Sequence, residues 1–450
     1  MNKLNQYTNF LLRPIFYILA LITATYIVLL IEKLKPSDFG HQAKLFEKEI
    51  KITKQETYPL NLSHSKLTPH EIQYAKIAWK YFENNYQAKT GMVNGSDRIA
   101  AFSVADLGSY LMAMVSAYEL NIIDSAEFDN RLKKAISTIN NLPLYKNILP
   151  NKKYNSNTLK FYTNLNKISK DGIGWSAMDI GRFFAFINKI KIDYPQYFAA
   201  FRIAISNWKI NEMISNGYLY GIYQDEKNKY MKAQEGTLGH EEYCAKGLFM
   251  LGYDVSQAME YTDFLKFVNI NNSEIATDTR ESNFNPGFSY VTSDPYILEG
   301  IEYGWNFTSI ELAYRVFMAQ KNRFEQDRVI TACSEDYIEK PPFYVINTIY
   351  ANNKAWNCFT PKGFEAEKFK TISTKAAFGW KVLFDDEYAN FLFEQINNLY
   401  DKKRGWYTGK YENSTAINKT ITASTNGLIL EALNYKLKGK IINFNQYKLN

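Results

Sequence analysis

The chain has 450 residues, with 53 Lys+Arg against 46 Asp+Glu, 4 His and 3 Cys; 46% of it is hydrophobic and 16% aromatic. That excludes a disordered chain, and 22 Gly with 12 Pro exclude a collagenous or Pro-rich one. Cys244, Cys333 and Cys358 make no disulfide framework, though Cys333 and Cys358 could pair; the four His form no zinc motif, and a net charge of +7 spread along the chain marks no nucleic-acid partner.

Residues 14–31 (PIFYILALITATYIVLLI) carry no charge. As a helix they span about 27 Å, just enough for a hydrocarbon core. Arg13 precedes them and Glu32-Lys33 follows. The stretch is longer than the apolar part of a cleaved signal peptide and no A-x-A site follows it. The expectation is a short cytoplasmic tail over 1–13, an uncleaved membrane anchor over 14–31 and an exported remainder, periplasmic or extracellular, at the cytoplasmic membrane. Residues 32–65 are polar and mixed in charge and read as a linker.

The folded part opens at T-P-H-E, with Thr68 as N-cap, Pro69 at the first helical position and Glu71 closing a capping box. Amphipathic periodicity then predicts helices over 104–120, 128–142, 177–192, 196–214, 241–251, 255–268, 308–319, 343–351, 374–384, 388–399 and 423–435. Residues 217–223 alternate as a short hairpin strand would. About twelve helices with short connectors predict an all-α domain over 66–438, followed by a tail over 439–450. No fixed-period repeat is visible, so an open solenoid is not indicated. A closed ring of six inner and six outer helices, an (α/α)6 toroid with a central funnel, satisfies the pattern.

The carboxylates that stand beside Gly and aromatics are Asp106, Asp179, Glu235, Glu241, Glu242, Asp278, Glu299, Glu302, Glu335 and Asp336. Glycoside hydrolysis needs two carboxyl groups across the scissile bond, one of them protonated, with aromatic platforms for the sugar rings. Each also has a duller reading. Glu241 and Glu242 suit the first turn of a helix, Asp179 and Arg182 can pair at i,i+3, and Glu335-Asp336 can cap a helix. There is no G-x-S-x-G elbow, P-loop or dinucleotide fingerprint. Cys244 with His240 lacks a third orienting group, so a buried free Cys is the simpler reading. Lys375, before an apolar A-A-F, can bind a substrate acid group or pair with a site carboxylate.

The ordered motifs include T-G-M-V from Thr90, D-L-G-S-Y-L from Asp106, G-W-S-A-M-D-I-G-R from Gly174 and Q-E-G-T-L-G-H-E-E-Y-C-A from Gln234. They continue with D-T-R from Asp278, S-D-P-Y-I-L-E-G-I-E-Y-G-W from Ser293, T-A-C-S-E-D-Y-I from Thr331, S-T-K-A-A-F-G-W from Ser373 and T-N-G-L-I-L-E-A-L-N-Y from Thr425. This series resembles the bacterial family catalogued as domain of unknown function 3131, over about residues 66–438. The sequence departs from the family pattern at Ala105, His240 and Asp294. The resemblance implies a six-hairpin, glycosidase-like toroid acting on or binding carbohydrate, and such enzymes are largely inverting; no cofactor or metal is expected. Because they sit in the motifs densest in Gly, aromatics and acids, Glu235 is expected as the acid and Asp336 or Asp106 as the base. Tyr243, Trp175, Trp305, Trp380 and Trp406 are expected as sugar platforms, and Arg280 and Lys375 as polar clamps. Asp179, Glu241, Glu242, Asp278, Glu302 and Glu335 would line the same site. The expected substrate is a bacterial exopolysaccharide or cell-envelope glycan. The alternatives are a non-catalytic glycan-binding partner of a polysaccharide synthesis or export system, and a lyase or epimerase using Tyr243 with His240.

Overall fold

The structure, a computed structural model, describes residues 19, 21–26, 52–224, 229–260, 264–280 and 289–443. The chain divides into two units, Met1–Ile52 and Thr53–Asn450. In the first, residues 21–26 are helical, and the hydroxyls of Thr23 and Thr25 donate to the carbonyls of Leu19 and Leu21. Most of the expected anchor lies outside the described residues, and among those described no helix is long and apolar enough to cross a membrane.

The second unit has eleven α-helices among the described residues: α1 (Pro69–Asn84), α2 (Val104–Glu119), α3 (Ser125–Asn140), α4 (Ala177–Asp193), α5 (Pro195–Ala204), α6 (His240–Phe249), α7 (Asp294–Glu302), α8 (Ser309–Asp327), α9 (Thr374–Leu383), α10 (Glu387–Ile396) and α11 (Ala423–Lys438). Six of them close a ring in the order α2, α4, α6, α7, α9, α11 and back to α2. These inner helices are buried nearly all round. On α2 everything from Leu107 to Ala117 is buried, whereas α3, outside it, buries only Phe128, Leu132, Ala135, Thr138 and Ile139. That contrast between an all-round apolar helix and one with an apolar stripe assigns the two layers. Outside lie α1 on α11, α3 on α2, α5 on α4, α8 on α7 and α10 on α9.

The sixth outer position corrects the expected count. The helix anticipated over 255–268 is instead a one-turn 3-10 helix, Gln257–Met259, followed by a hairpin that packs on α8. The strands that shape the site are β1 (Tyr218–Gln224), β2 (Tyr230–Gln234), the hairpin β3 (Leu265–Ile270) and β4 (Ser273–Asp278), β5 (Glu335–Tyr337), β6 (Tyr344–Asn347) and β7 (Thr371–Ser373). The domain is therefore a helical ring decorated with small antiparallel sheets rather than all-α. The helix expected over 343–351 is likewise strand, as its Val, Ile and Tyr residues favour a half-buried pleated surface. Residues 217–223 do form the expected strand, β1 paired with β2. Helix α5 ends at Ala204, short of the expected 214.

The inner helices start at one end of the ring. The N-cap of α6, Gly239 at φ +91°, faces Pro295 at the start of α7. The first N–H of α11, on Ala423, donates to Gly95, and Gly95 in turn makes room for the carboxylate of Asp106 in the first turn of α2. At mid-ring, Gly181 of α4 lies against Cys244 of α6 so closely that a side chain would force the helices apart.

Part of the expected linker belongs to the folded unit, which begins at Thr53. The Tyr58 hydroxyl and the Gln55 N–H donate to Glu311 of α8 at 2.7 and 3.0 Å, and the N–H of Asn61 and of Ser65 donate to the carbonyls of Leu383 and Lys436. The domain also runs past 438: Ile441 and Ile442 are buried and donate to the carbonyls of Ile301 and Glu302. Cys244, Cys333 and Cys358 are all buried and free, so Cys333 and Cys358 do not pair.

Candidate active site

The first turns of the inner helices bring the candidate carboxylates together. At α2, Ser103 and Asp106 form a capping box: the Ser103 N–H donates to Asp106 at 2.8 Å and the Asp106 N–H to Ser103 Oγ at 3.0 Å. At α4, Ser176 and Asp179 repeat the spacing, with the Asp179 N–H donating to Ser176 Oγ at 3.1 Å. Glu235, at the end of the β1–β2 hairpin, accepts the N–H of Ala177, the first residue of α4, at 2.6 Å, and a hydrogen bond from the Tyr223 hydroxyl. A side chain at Gly221 would occupy the place of the Glu235 carboxylate.

Asp179 is the group whose proton is held most firmly among these. Burial pushes its carboxyl up, the charges of Glu235 and Asp106 push it further, Lys152 and Ser176 oppose them, and the result is about 7. Asp106 is also raised, by burial, against its bonds to Ser103 and the charge of Lys153.

Strand β5 carries Glu335 and Asp336 on opposite faces, as the two-residue period of a strand requires. Glu335 is half-buried and accepts the hydroxyls of Tyr290 (2.8 Å) and Tyr344, with His240 Nε2 at 3.2 Å. Burial raises its carboxyl, but His240, Tyr344 and Lys375 more than offset this and hold it well below the usual range. Asp336 points into the wall, 1% exposed, accepting the hydroxyls of Thr371 (2.7 Å) and Ser373 (3.2 Å). Burial raises it to about 6 against the charge of Lys375. Burial raises the Tyr337 phenol, and Asp106, Asp179 and Glu335 are all close enough to raise it further.

Lys375, at the start of α9, is paired with Asp294 at 2.5 Å, and Asp294 also accepts the Glu335 N–H and the Ser334 hydroxyl. Asp294 is a site residue that sequence reasoning passed over; the S-D-P departure was its only signal. Tyr223, Tyr290, Tyr337 and Tyr344 were missed too, since nothing local distinguishes them from core tyrosines.

Several expected site residues serve the frame instead. Glu241 accepts Leu219 N–H at 3.1 Å and pairs with Arg280, while Asp278 accepts Leu238 N–H at 3.1 Å and holds the same guanidinium. Arg280 thus ties the end of β4 to α6, and Glu241, its partner there, in turn accepts from Leu219 and Gln234 of the β1–β2 hairpin. Glu242 is 2% exposed and caps Gly239 N–H at 2.6 Å. Deeper in the ring, Arg182 joins Glu302, Glu431 and the Tyr243 hydroxyl, all buried. Tyr243 and Glu302 are therefore not on the funnel surface.

The expected tryptophan platforms are corrected as well. Trp380 and Trp406 are wholly buried, and Trp406 is boxed in edge-on by Tyr74, Phe378 and Tyr400. Trp175 is buried, with its indole N–H donating to Tyr220 O at 2.9 Å. Trp305 follows the C-terminal end of α7, away from the funnel, and stacks on Phe384. Glycine neighbours suggested open ligand surfaces, but here they mark tight packing, as where Gly300 meets the Trp305 ring.

The family described as Protein of unknown function (DUF3131) matches residues 73–439. The chain belongs to this family. The DUF3131 domain is similar in fold to an endo-β-1,2-glucanase from Chitinophaga pinensis (TM-score 0.58, 12% identity, covering 84% of this chain and 94% of that one). It is similar too to a glucoamylase-like protein from Bacteroides fragilis NCTC 9343 (0.59, 11%, 84% and 94%) and to an endo-β-1,2-glucanase from Talaromyces funiculosus (0.53, 12%, 83% and 84%). Among curated proteins, none matches this chain in sequence. These likenesses establish the toroid fold of the DUF3131 domain.

The buried carboxyl of Asp179 has a consequence for stability. It titrates at about 7 in the folded state, against about 3.9 when unfolded. The folded state therefore holds the proton more tightly, and the stability this gives is complete below about pH 4 and lost as pH rises through about 7. Asp179→Asn should raise Tm at about pH 8 and leave it unchanged below about pH 4, as read by scanning calorimetry at both values.

Proposed function

We propose that the domain is a glycoside hydrolase in which Asp179 is the general acid and Glu335 the carboxylate that stays ionised across the funnel. The observation that carries this is the pair Asp179 and Glu235. Glu235 is engaged by the Ala177 N–H and the Tyr223 hydroxyl, while burial and the neighbouring charge of Glu235 push the Asp179 carboxyl up to about 7, so Asp179 is the member able to carry a proton at neutral pH. An acid near pH 7 is matched to protonating a glycosidic oxygen at neutral pH. This moves the acid from Glu235, where the sequence reading put it, to its neighbour, and gives Glu235 the task of keeping the proton there.

Glu335, fixed by Tyr290, Tyr344 and His240, suits the orientation of a water or the stabilisation of an oxocarbenium-like centre. Asp106 lies on the acid's side, and Asp336 behind Glu335 serves as its buried support. Tyr337 and Tyr290 present rings and hydroxyls at the funnel, a chemistry suited to sugar hydroxyls and ring faces. The endo-β-1,2-glucanases of like fold make glucans the first substrates to try. The uncharged run at 14–31 supports an exported domain tethered to the cytoplasmic membrane. Such a tether keeps the full chain in the pellet after alkaline carbonate extraction, and its release to the supernatant would refute it.

Reducing-end release from β-1,2-glucan, α-glucans and bacterial exopolysaccharides tests the catalytic reading. Asp179→Asn should lower kcat by about 10²–10⁴-fold. In the wild type kcat/KM should fall as pH rises through about 7, and Glu235→Gln should move that limb to lower pH, because the charge that raises Asp179 is gone. Equal release by wild type and Asp179→Asn would refute the assignment.

A further inference from the structure

The segment 146–170 carries six lysines, Lys146, Lys152, Lys153, Lys160, Lys167 and Lys170, and no acidic residue or arginine. It runs along the funnel mouth between α2 and α4. The Lys152 N–H donates to the Gly174 carbonyl at 2.7 Å, two residues before the N-cap of α4. Lys153 pairs in register with Ser103, the N-cap of α2. The backbone thus fastens two adjacent lysines to the starts of the two helices that carry Asp179 and Asp106.

Their ammonium groups are placed toward the same site. Lys152 Nζ stands 4.5 Å from the centre of the Tyr223 ring, whose hydroxyl serves Glu235. Lys153 bears on Asp106, and its Nζ has the Asn164 carbonyl at 3.4 Å. On the adjoining hairpin, Lys232 Nζ lies 5.5 Å from the centre of the Tyr220 ring. Within the described residues none of the six segment lysines, nor Lys232, has an ion-pair partner, whereas Lys189 on α4 is paired with both Glu119 and Asp193. Unpaired, partly exposed ammonium groups at one rim, with aromatic rings between them, produce a local positive potential above a floor of carboxylates.

Resting on the hydrolase reading above, we infer that this rim selects an anionic polysaccharide, one carrying carboxylate or phosphate groups along its chain, and seats such a group beside Lys152 and Lys153 while the neutral glycosidic bond next to it lies over Asp179. A neutral glucan offers these lysines only hydroxyl and ether oxygens, with no charge to match theirs. An anionic chain meets them at the spacing of its substituents, and the carboxylates below repel any anionic group that enters deeper, which fixes the register.

The test is calorimetric titration of the full chain with three oligosaccharides of equal length: a polyuronate, a phosphate-substituted glucan and a neutral β-1,2-glucan. The polyuronate arm and the phosphate arm distinguish the source of the anion. At least one anionic chain should bind more tightly than the neutral one, and its affinity should fall between about 50 and about 300 mM NaCl. Lys152→Gln/Lys153→Gln should lose about tenfold in affinity for that anionic chain and none for the neutral one, with the far-UV circular dichroism spectrum of the wild type. Lys76→Gln/Lys266→Gln, exposed and away from the rim, should match wild type. Equal binding of neutral and anionic chains, no binding of either anionic chain, no effect of the double substitution, or equally tight binding to anionic lipid vesicles would overturn the inference. Retained hydrolysis by Asp179→Asn would refute the hydrolase reading separately, since the binding titration does not depend on turnover.

Discussion

The convergence of the inner-helix N-termini at one end of the ring is the constraint on which the rest depends. A buried carboxylate is costly unless donors satisfy it, and a helix start supplies N–H groups that no intrahelical carbonyl takes. Glu235 uses the start of α4, Asp106 the start of α2 and Glu242 the start of α6. A dense set of acids can therefore sit in the funnel wall. The same arrangement leaves too few donors for every member to be ionised, so protons are retained where donors are scarcest. Asp179 has only Ser176 as a local partner and two acidic neighbours, whereas Glu335 has two phenols and an imidazole. Two carboxyl groups with opposed preferences, both within reach of Tyr337, arise from the same economy of donors that builds the wall.

The frame beneath fixes these positions. Arg280 binds Asp278 and Glu241, and Glu241 accepts from Leu219 and Gln234 of the hairpin that delivers Glu235. Lower in the ring, Arg182 is shared by Glu302 and Glu431, and Tyr243 bridges it to Glu302. Removing either arginine would leave two buried carboxylates without their counter-charge, which is more damaging than the loss of the pair's net attraction. These arginines hold the frame beneath the carboxylates.

Much of this was legible in the sequence. Ser103 and Asp106 stand at the spacing of the capping box they form, Ser176 and Asp179 repeat that spacing at α4, and helical periodicity located all six inner helices except α7 (Asp294–Glu302), which the periodicity did not mark. What failed was information that only distance in space provides. Trp175, Trp380 and Trp406 stand beside Gly in the sequence, and that spacing serves equally for an open ligand face and for a tight helix crossing. Glu335 and Asp336 could not be sorted until the segment was known to be strand, because the alternation that turns one to the funnel and the other to the wall belongs to β5. The outer position filled by β3 and β4 was misread because Val255 and the apolar residues after it match a helical stripe as well as a hairpin.

The account stands or falls on where one proton sits. A pH titration of the protein labelled with ¹³C at the aspartate carboxyl carbons, followed by NMR in the wild type and in Asp179→Asn, measures this directly. The account predicts one aspartate resonance with a midpoint near pH 7, absent from the variant. If every resonance that Asp179→Asn removes titrates below about pH 5 in the wild type, Asp179 is an ordinary ionised carboxylate and the acid must be sought elsewhere in the funnel.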